Sequence, residues 1–422
     1  MDLTVSAPRF GGTIRAIASK SSAHRLLICA ALSDAPCRMG CSEDSEDIRA
    51  TVRCLNAMGA AIRPIEGGFA ITPIDRSHLP AHAVLDCGES GSTLRFLLPV
   101  VCALGLEAEL HLHGRLPERP LEPLYSLLCS HGAVLSEPGQ AVLHTAGQLK
   151  GADFCICGGV SSQYISGLLF TLPLIGGRIK IEGKLESAGY VELTKEALAL
   201  AGVTVTEQDG WLCAEGSYHL PTDCSAEGDW SNAAFWLCAG AVGAEPVTVT
   251  GLTPTSCQPD RAIISLLQRF GAQVAQEESQ YTVIPAPLHG IEIDASQMPD
   301  LVPILALVAA CAEGQTRIFG AERLRIKESD RLATTAETLR TLGVAIAETA
   351  DGLLIEGSTL HGGGISSHND HRIAMMAAIA ALKAGGEAVT IRGAQAVNKS
   401  YPAFFRDYAA LGGAITEGKE QV

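Results

Sequence analysis

The chain has 422 residues, too many for one ordinary core, so two domains of roughly 200 residues each are expected. Its 31 basic and 46 acidic side chains leave a net charge of −15, which argues against nucleic acid or an anionic membrane as the main partner. A small anionic substrate stays open, because a local basic cluster can sit in an acidic protein.

The apolar content of 47% with few aromatics and 44 glycines suits a globular protein of tightly packed α/β layers. The start, MDLTVSAPRF, lacks a basic region followed by an apolar run, so no secretory signal is expected. The longest apolar runs, such as LVPILALVAACA (301–312), are too short to span a bilayer. There are 14 cysteines but no CxxC pair and no zinc-finger spacing. They are read as reduced small hydrophobes in the cytosol, and strand alternation points Cys155 and Cys157 the same way.

Taken in order, the elements repeat. A helical run closed by a glycine and followed by strand-forming residues occurs at Gly59, Gly132, Gly202, Gly271, Gly343 and Gly412, every 69–73 residues. Glycine just past a helix end supplies the left-handed cap. In phase with it runs a series of very apolar helices with polar starts: KSSAHRLLICAAL, SGSTLRFLLPVVCALG, SSQYISGLLFTLPLIGG, DWSNAAFWLCAGAVG, PDLVPILALVAACAEG and NDHRIAMMAAIAALKAGG. A helix apolar all round is buried. Six units of two helices and short strands therefore predict an α/β architecture with helices inside strand layers. The period does not say whether the units form one ring or two groups of three.

The polar starts offer N-caps: Ser21, Ser22, Ser90, Ser92, Ser161, Ser162, Asp229, Asp300, Asn369 and Asp370. Basic residues stand beside several of them. Lys20 and Arg25 flank the first, Arg95 lies in the second, and His371 and Arg372 open the sixth. The amphipathic helices carry more. Arg115 and Arg119 lie in GRLPERPLEP, with Pro120 at a plausible first-turn position. Lys327 and Arg331 lie in RIKESDR (325–331), which leads into a helix, and Lys399 lies in NKSYPAFF. Helix N-termini with arginine and lysine bind phosphate or carboxylate. Glu328, Asp330 and Asp300 lie among these cations. Each reads either as a cap or first-turn acid, or as a proton-transfer group in a cationic pocket.

Assembled, these residues resemble the 5-enolpyruvylshikimate-3-phosphate synthase family. The matching stretches run in order along nearly the whole chain: SKSSAHR (19–25), GESGSTLR (88–95), LPERP (116–120), VSSQY (160–164), ESAGY (186–190), PDLVP (299–303), RIKESDR, NDHR (369–372) and NKSYPAFF (398–405). The resemblance implies a two-domain inside-out α/β barrel, each domain of three βαβαββ-type repeats around buried helices. Residues 19–226 would form the N-terminal domain, mainly for shikimate 3-phosphate. Residues 1–18 and 227–422 would form the C-terminal domain, for phosphoenolpyruvate and the acid/base residues, with the active site in the cleft.

The implied reaction moves the enolpyruvyl group of phosphoenolpyruvate to the 5-hydroxyl of shikimate 3-phosphate and releases phosphate. It runs by addition and elimination through a tetrahedral intermediate, with no metal and no organic cofactor. By resemblance, Ser21, Arg25, Ser161, Ser162, Gln163, Ser187, Asp300 and Lys327 would hold shikimate 3-phosphate. Lys20, Gly91, Arg119, Gln163, Arg331, His371, Arg372 and Lys399 would surround phosphoenolpyruvate. Asp300, Glu328 and Lys20 would handle protons. The expected partners are these two small molecules, with no nucleic acid and no membrane, and the expected state is a cytoplasmic monomer.

Two positions depart from the family pattern. ESGS (89–92) stands where NAGT is common, and Arg323 stands where many members have asparagine, which leaves the contacts of Glu89, Ser92 and Arg323 open. Gly91 stands where bulkier residues would crowd the phosphoenolpyruvate site, so sensitivity to glyphosate is expected. The rivals are UDP-N-acetylglucosamine 1-carboxyvinyltransferase, whose loop cysteine is missing from GRLPERP, and a catalytically silent phosphometabolite-binding protein, which would be expected to lose the acids. RNA 3′-phosphate cyclase, with related repeats, is disfavoured by the acidic charge and the motifs.

Overall fold

The computed structural model describes residues 1–7 and 9–417. The chain divides into two compact units, an N-terminal unit Ala18–Ala226 and a C-terminal unit made of Met1–Ile17 and Glu227–Val422. The N-terminal unit holds helices α1 (Lys20–Leu32), α2 (Glu46–Ala57), α3 (Gly91–Leu104), α4 (Leu124–Ser130), α5 (Ser162–Leu169), α6 (Leu172–Ile175) and α7 (Ala188–Leu200). The C-terminal unit holds α8 (Trp230–Val242), α9 (Ile263–Phe270), α10 (Val302–Ala310), α11 (Arg331–Thr341), α12 (His371–Ala380) and α13 (Phe404–Ala410).

Among the described residues six four-stranded sheets share one strand order. In the second repeat Ala83–Gly88 runs parallel to Ala108–Leu112. The latter is antiparallel to Val142–Gly147, which in turn pairs with Ala133–Leu135. Three sheets are completed by distant strands. Asp223–Ser225 joins Cys37–Gly40, Gly12–Arg15 joins Val247–Thr250, and Leu3–Ser6 inserts between Val389–Arg392 and Ala414–Glu417. This is the two-domain inside-out α/β fold, with three βαβαββ repeats in each unit.

The buried helices fill the interior of each unit. Every residue of α8, α10 and α12 is buried, as expected where apolar residues follow the polar first turn on every side. The six repeat glycines all take left-handed φ, from 78° at Gly202 to 109° at Gly271. At Gly412 a side chain would also collide, since a Cβ there would lie 2.2 Å from the Arg9 carbonyl oxygen.

Several expected boundaries move. The third apolar helix is two, α5 and α6, because Pro173 cannot donate to residue 169 and its ring crowds that carbonyl. Pro99, by contrast, lies inside a continuous α3. It leaves the Arg95 carbonyl without its helical donor, and Gly167 of α5 packs over that carbonyl. A Cβ on Gly167 would lie 2.3 Å from Arg95 O and 3.1 Å from Pro99 Cγ. Gly167→Ala is therefore expected to destabilise the protein by about 1–3 kcal/mol, overriding alanine's better helix propensity. Urea denaturation checks this, and a more stable variant would refute the close approach.

The caps also shift. Ser19, not Ser21 or Ser22, caps α1, and Ser90, not Ser92, caps α3. Ser161 caps α5, Asp229 caps α8, and Asp370 rather than Asn369 caps α12. Asp300 is no cap. It sits in the short 3-10 turn Pro299–Leu301, and the N-cap of α10 is Leu301. Pro120 lies outside any helix, and Pro117 takes the first-turn place in the 3-10 turn Leu116–Glu118.

Candidate active site

In the N-terminal unit the expected residues gather at the starts of α1, α3, α5 and α7. Lys20 opens α1, and its Nζ lies 2.7 Å from Asp47 of α2. Arg25, 2% exposed, donates to the Ser21 carbonyl at 2.6 Å, to the Tyr190 carbonyl at 2.7 Å and to Thr194 Oγ1 at 2.8 Å. Its guanidinium also covers the Phe96 ring at 4.9 Å. Burial pulls the Arg25 pKa down to about 10.

Gly91 is the first residue of α3, where two guanidinium groups close in. A Cβ on it would stand 2.8 Å from Nη1 of both Arg119 and Arg95. Arg95 Nη1 donates to Gln163 Oε1 at 3.0 Å, and Gln163 donates to Ser92 Oγ at 3.0 Å. Ser161 caps α5 by accepting from the Gln163 amide, and Ser162 is buried. Ser187 is buried and held at φ 56°, a left-handed conformation that costs a serine about 1 kcal/mol or more. Glu89, the departure from the family pattern, lies against Gly114, where a Cβ would meet its carboxylate at 2.5 Å.

In the C-terminal unit RIKESDR divides by role. Arg325 pairs with Asp330 at 3.1 Å and with Glu348 at 3.4 Å, and Asp330 caps α11. Those are the structural members. Glu328 is not a first-turn acid, since it precedes the cap. Arg331, 1% exposed, is the hub of the rest. It reaches Asp300 at 2.9 Å, Glu328 at 2.7 Å and the fully buried Asp370 at 2.7 Å. Arg372 donates to Asp300 Oδ2 at 3.0 Å and to Ser231 Oγ at 2.7 Å. Lys327 stands 3.9 Å from Asp300.

Burial alone would raise the Asp300 pKa. The charges of Arg372, Lys327 and Arg331 outweigh it and hold the carboxyl well below the usual carboxylate range. Lys399, 4% exposed, donates to the Asn369 carbonyl at 2.6 Å. His368 and Asn369 are both left-handed, at φ 51° and 55°, so a strained turn delivers His371 and Arg372 to the start of α12. Arg323 donates to the Ser296 carbonyl at 2.9 Å, which ties the Glu322–Ile326 turn to the loop before Asp300.

The fold thus brings Lys20, Ser21, Gly91, Ser161, Ser162, Gln163 and Ser187 onto the helix starts of one unit, with Arg25 a turn further along α1 and Arg119 reaching Gly91 from the end of the Leu116–Glu118 turn. In the other it brings Arg331, His371 and Arg372 onto helix starts, with Asp300, Lys327 and Glu328 in the turns beside them and Lys399 bonded to the Asn369 carbonyl. Sequence reasoning missed Asp47, Thr194 and Ser231, and read Asp370 only as a cap. Asp47 bonds a lysine 27 positions away, and nothing local marks it. Among the described residues no group of three or more His, Cys, Asp or Glu side chains is arranged to hold a metal ion. Chemically, each cluster can grip an anion, and the C-terminal one also carries carboxylates able to move protons.

An inside-out α/β fold with two cationic clusters, one of them holding paired acids, is the architecture of an enzyme acting on small anions. A family profile described as EPSP synthase (3-phosphoshikimate 1-carboxyvinyltransferase) matches residues 6–408, and the chain belongs to that family. A 3-phosphoshikimate 1-carboxyvinyltransferase of Clostridium kluyveri is 39% identical, with 98% of each chain covered. One from Clostridium acetobutylicum is 40% identical, with 96% of each covered. The solved EPSP synthase of Acinetobacter baumannii superposes with a TM-score of 0.81 at 26% identity, covering 99% of this chain and 100% of that one. An enolpyruvyl transferase of Streptomyces tendae shares the fold, with a TM-score of 0.76 at 22% identity over 98% of each chain.

Proposed function

We infer that this protein is a 3-phosphoshikimate 1-carboxyvinyltransferase. It transfers the enolpyruvyl group of phosphoenolpyruvate to the 5-hydroxyl of shikimate 3-phosphate, the sixth step of the shikimate pathway towards chorismate and the aromatic amino acids. The observation that carries the chemistry is Arg331, which holds Asp300, Glu328 and Asp370 within 2.9 Å beside Arg372.

In the proposed division of labour the N-terminal unit mainly holds shikimate 3-phosphate, through Ser21, Arg25, Ser161, Ser162, Gln163 and Ser187. Lys327 and Asp300 complete its contacts. The proposed phosphoenolpyruvate contacts are Lys20, Gly91, Arg119, Gln163, Arg331, His371, Arg372 and Lys399. In the addition step the 5-hydroxyl gives its proton to a basic side chain and its oxygen bonds to C2 of phosphoenolpyruvate, while the methylene carbon of phosphoenolpyruvate takes a proton from an acidic one. In the elimination step the new methyl group returns a proton and phosphate leaves. Asp300, Glu328 and Lys20 are the proposed proton carriers. Asp300, held ionised by Arg372, Lys327 and Arg331, is a weak base, and Glu328 is the proposed principal carrier. The residues present need neither a metal nor an organic cofactor for these steps.

The same reading makes the protein a cytoplasmic monomer working on two small anions, without nucleic acid or membrane. Among the described residues no helix is long and apolar enough to cross a membrane. The test is phosphate release from phosphoenolpyruvate in metal-free buffer, with shikimate 3-phosphate or UDP-N-acetylglucosamine as acceptor. Release with shikimate 3-phosphate alone is expected. Release only with the nucleotide sugar, or with neither, would overturn the reading.

Gly91→Ala gives a second expected outcome. The added methyl meets first the flexible ends of Arg119 and Arg95, at 2.8 Å, so the fold survives and the anion site is crowded. The KM for phosphoenolpyruvate and the inhibition constant of glyphosate should both rise, by roughly tenfold or more, the effect of losing one charge-assisted hydrogen bond. Unchanged glyphosate inhibition would place that anion elsewhere.

A further inference from the structure

We infer that His24 is a positioning residue for the anion site at Gly91, acting through a buried hydrogen-bonded relay, His24–Thr51–Thr93–Ser90, that joins α1, α2 and α3. This rests on the reading of Gly91 given under the proposed function.

The four side chains are at most 1% exposed. His24 Nδ1 lies 2.7 Å from Thr51 Oγ1, and Thr51 Oγ1 lies 2.7 Å from Thr93 Oγ1. Thr93 Oγ1 donates to Ser90 Oγ at 2.8 Å, and Ser90 Oγ also accepts from the Thr93 amide. Each threonine has a single hydroxyl hydrogen, so one end sets the direction of the whole chain. Thr93 spends its hydrogen on Ser90. Thr51 must then donate to Thr93, and His24 must donate from Nδ1 to Thr51. The opposite ring nitrogen, Nε2, has no hydrogen-bond partner among the described residues. An orphaned lone pair in an apolar setting costs less than an orphaned charge. Burial, then the nearby charges of Lys20 and Arg25, keep the ring neutral.

Two consequences bear on the site. First, α1 and α2 are joined by two rungs one turn apart, Lys20–Asp47 and His24–Thr51. The second rung fixes the register that holds Lys20 against Asp47. Second, Ser90 is only an acceptor in this relay, so its own hydrogen remains available at the residue preceding Gly91. A relay running this way leaves Ser90 one O–H to donate and fixes the first turn of α3, which carries Gly91 to the place where Arg95 and Arg119 converge.

Two measurements test the proposal. Nitrogen-15 spectra of labelled histidine should show one neutral ring with hydrogen on Nδ1 throughout pH 5–9, lost in His24→Asn. Hydrogen on Nε2, or an imidazolium, would overturn the relay's direction whether or not the enzyme turns over. In steady-state kinetics His24→Leu should raise the KM for phosphoenolpyruvate by roughly tenfold, the worth of one hydrogen bond, with kcat within about twofold. Thr51→Val, a nearly isosteric change, should do the same, and the double variant should be no worse than either single one. His24→Asn, whose amide nitrogen falls near the place of Nδ1, should restore the KM. Unchanged kinetics in Thr51→Val, or no rescue by His24→Asn, would reduce the relay to core packing. Absence of turnover in the wild type would instead sink the proposed function and leave the relay to the spectra.

Discussion

Replacing Arg331 by methionine is expected to destabilise the protein by about 3–5 kcal/mol, the cost of breaking a buried ion cluster from one side. Arg331 is 1% exposed and contacts three carboxylates, of Asp300, Glu328 and Asp370. Methionine fills much of the volume but leaves those charges facing one another. Asp370 suffers most, because it is fully buried and receives two guanidinium bonds, at 2.7 and 3.3 Å. Urea denaturation measures the loss. Adding Asp370→Asn to Arg331→Met should recover part of it, since one stranded charge is removed. A loss below about 1 kcal/mol, typical of exposed pairs, would show that the cluster is solvated rather than buried.

The same cluster sets a pH dependence. The Asp300 carboxyl is held well below its ordinary value despite burial, by Arg372, Lys327 and Arg331. A depressed folded-state pKa means that the unfolded chain takes up the proton first as pH falls. The stabilisation is therefore present above the unfolded value of about 3.9 and is lost progressively below it. The stability of the wild type should fall steeply between about pH 4 and pH 2, and Asp300→Asn should show a shallower slope in that window. Equal slopes would mean that other acids carry the effect.

The second large effect separates the two candidate proton carriers. Glu328→Gln should lower kcat by about 10²–10⁴-fold, the usual worth of a positioned acid or base. Its effect on stability should be smaller than that of Asp300→Asn, because Arg331 keeps Asp300 and Asp370 as ion partners when Glu328 loses its charge. Asp300→Asn should lower activity and stability together. It removes the charge shared by Arg331, Arg372 and Lys327, at 2.9, 3.0 and 3.9 Å. If Glu328→Gln keeps near-normal turnover, the principal transfer belongs to Asp300 or Lys20.

The sequence by itself determined the repeat. Helices such as Trp230–Val242 are apolar on every side, and glycine recurs just past the amphipathic ones. Both signals act within a turn or two of chain, through burial and backbone sterics, so they are legible without a fold. The motif residues were legible too, as a resemblance carried by SKSSAHR, RIKESDR and NDHR. Local rules then erred by small amounts that matter. Ser19 rather than Ser21 caps α1, Pro173 breaks the third apolar helix where Pro99 does not break α3, and Asp300 is an ion-pair acceptor rather than a cap. Only the tertiary structure decided which charges meet. Arg331 joins Asp300 and Asp370, 31 and 39 positions away, and Arg372 reaches Asp300 across 72. Lys20 found Asp47, and His24 found Thr51, each 27 positions off. Coulomb attraction and hydrogen bonding act over a few ångströms of space and carry no signature along the chain. These partners became definite once the repeats stacked and their helix starts converged.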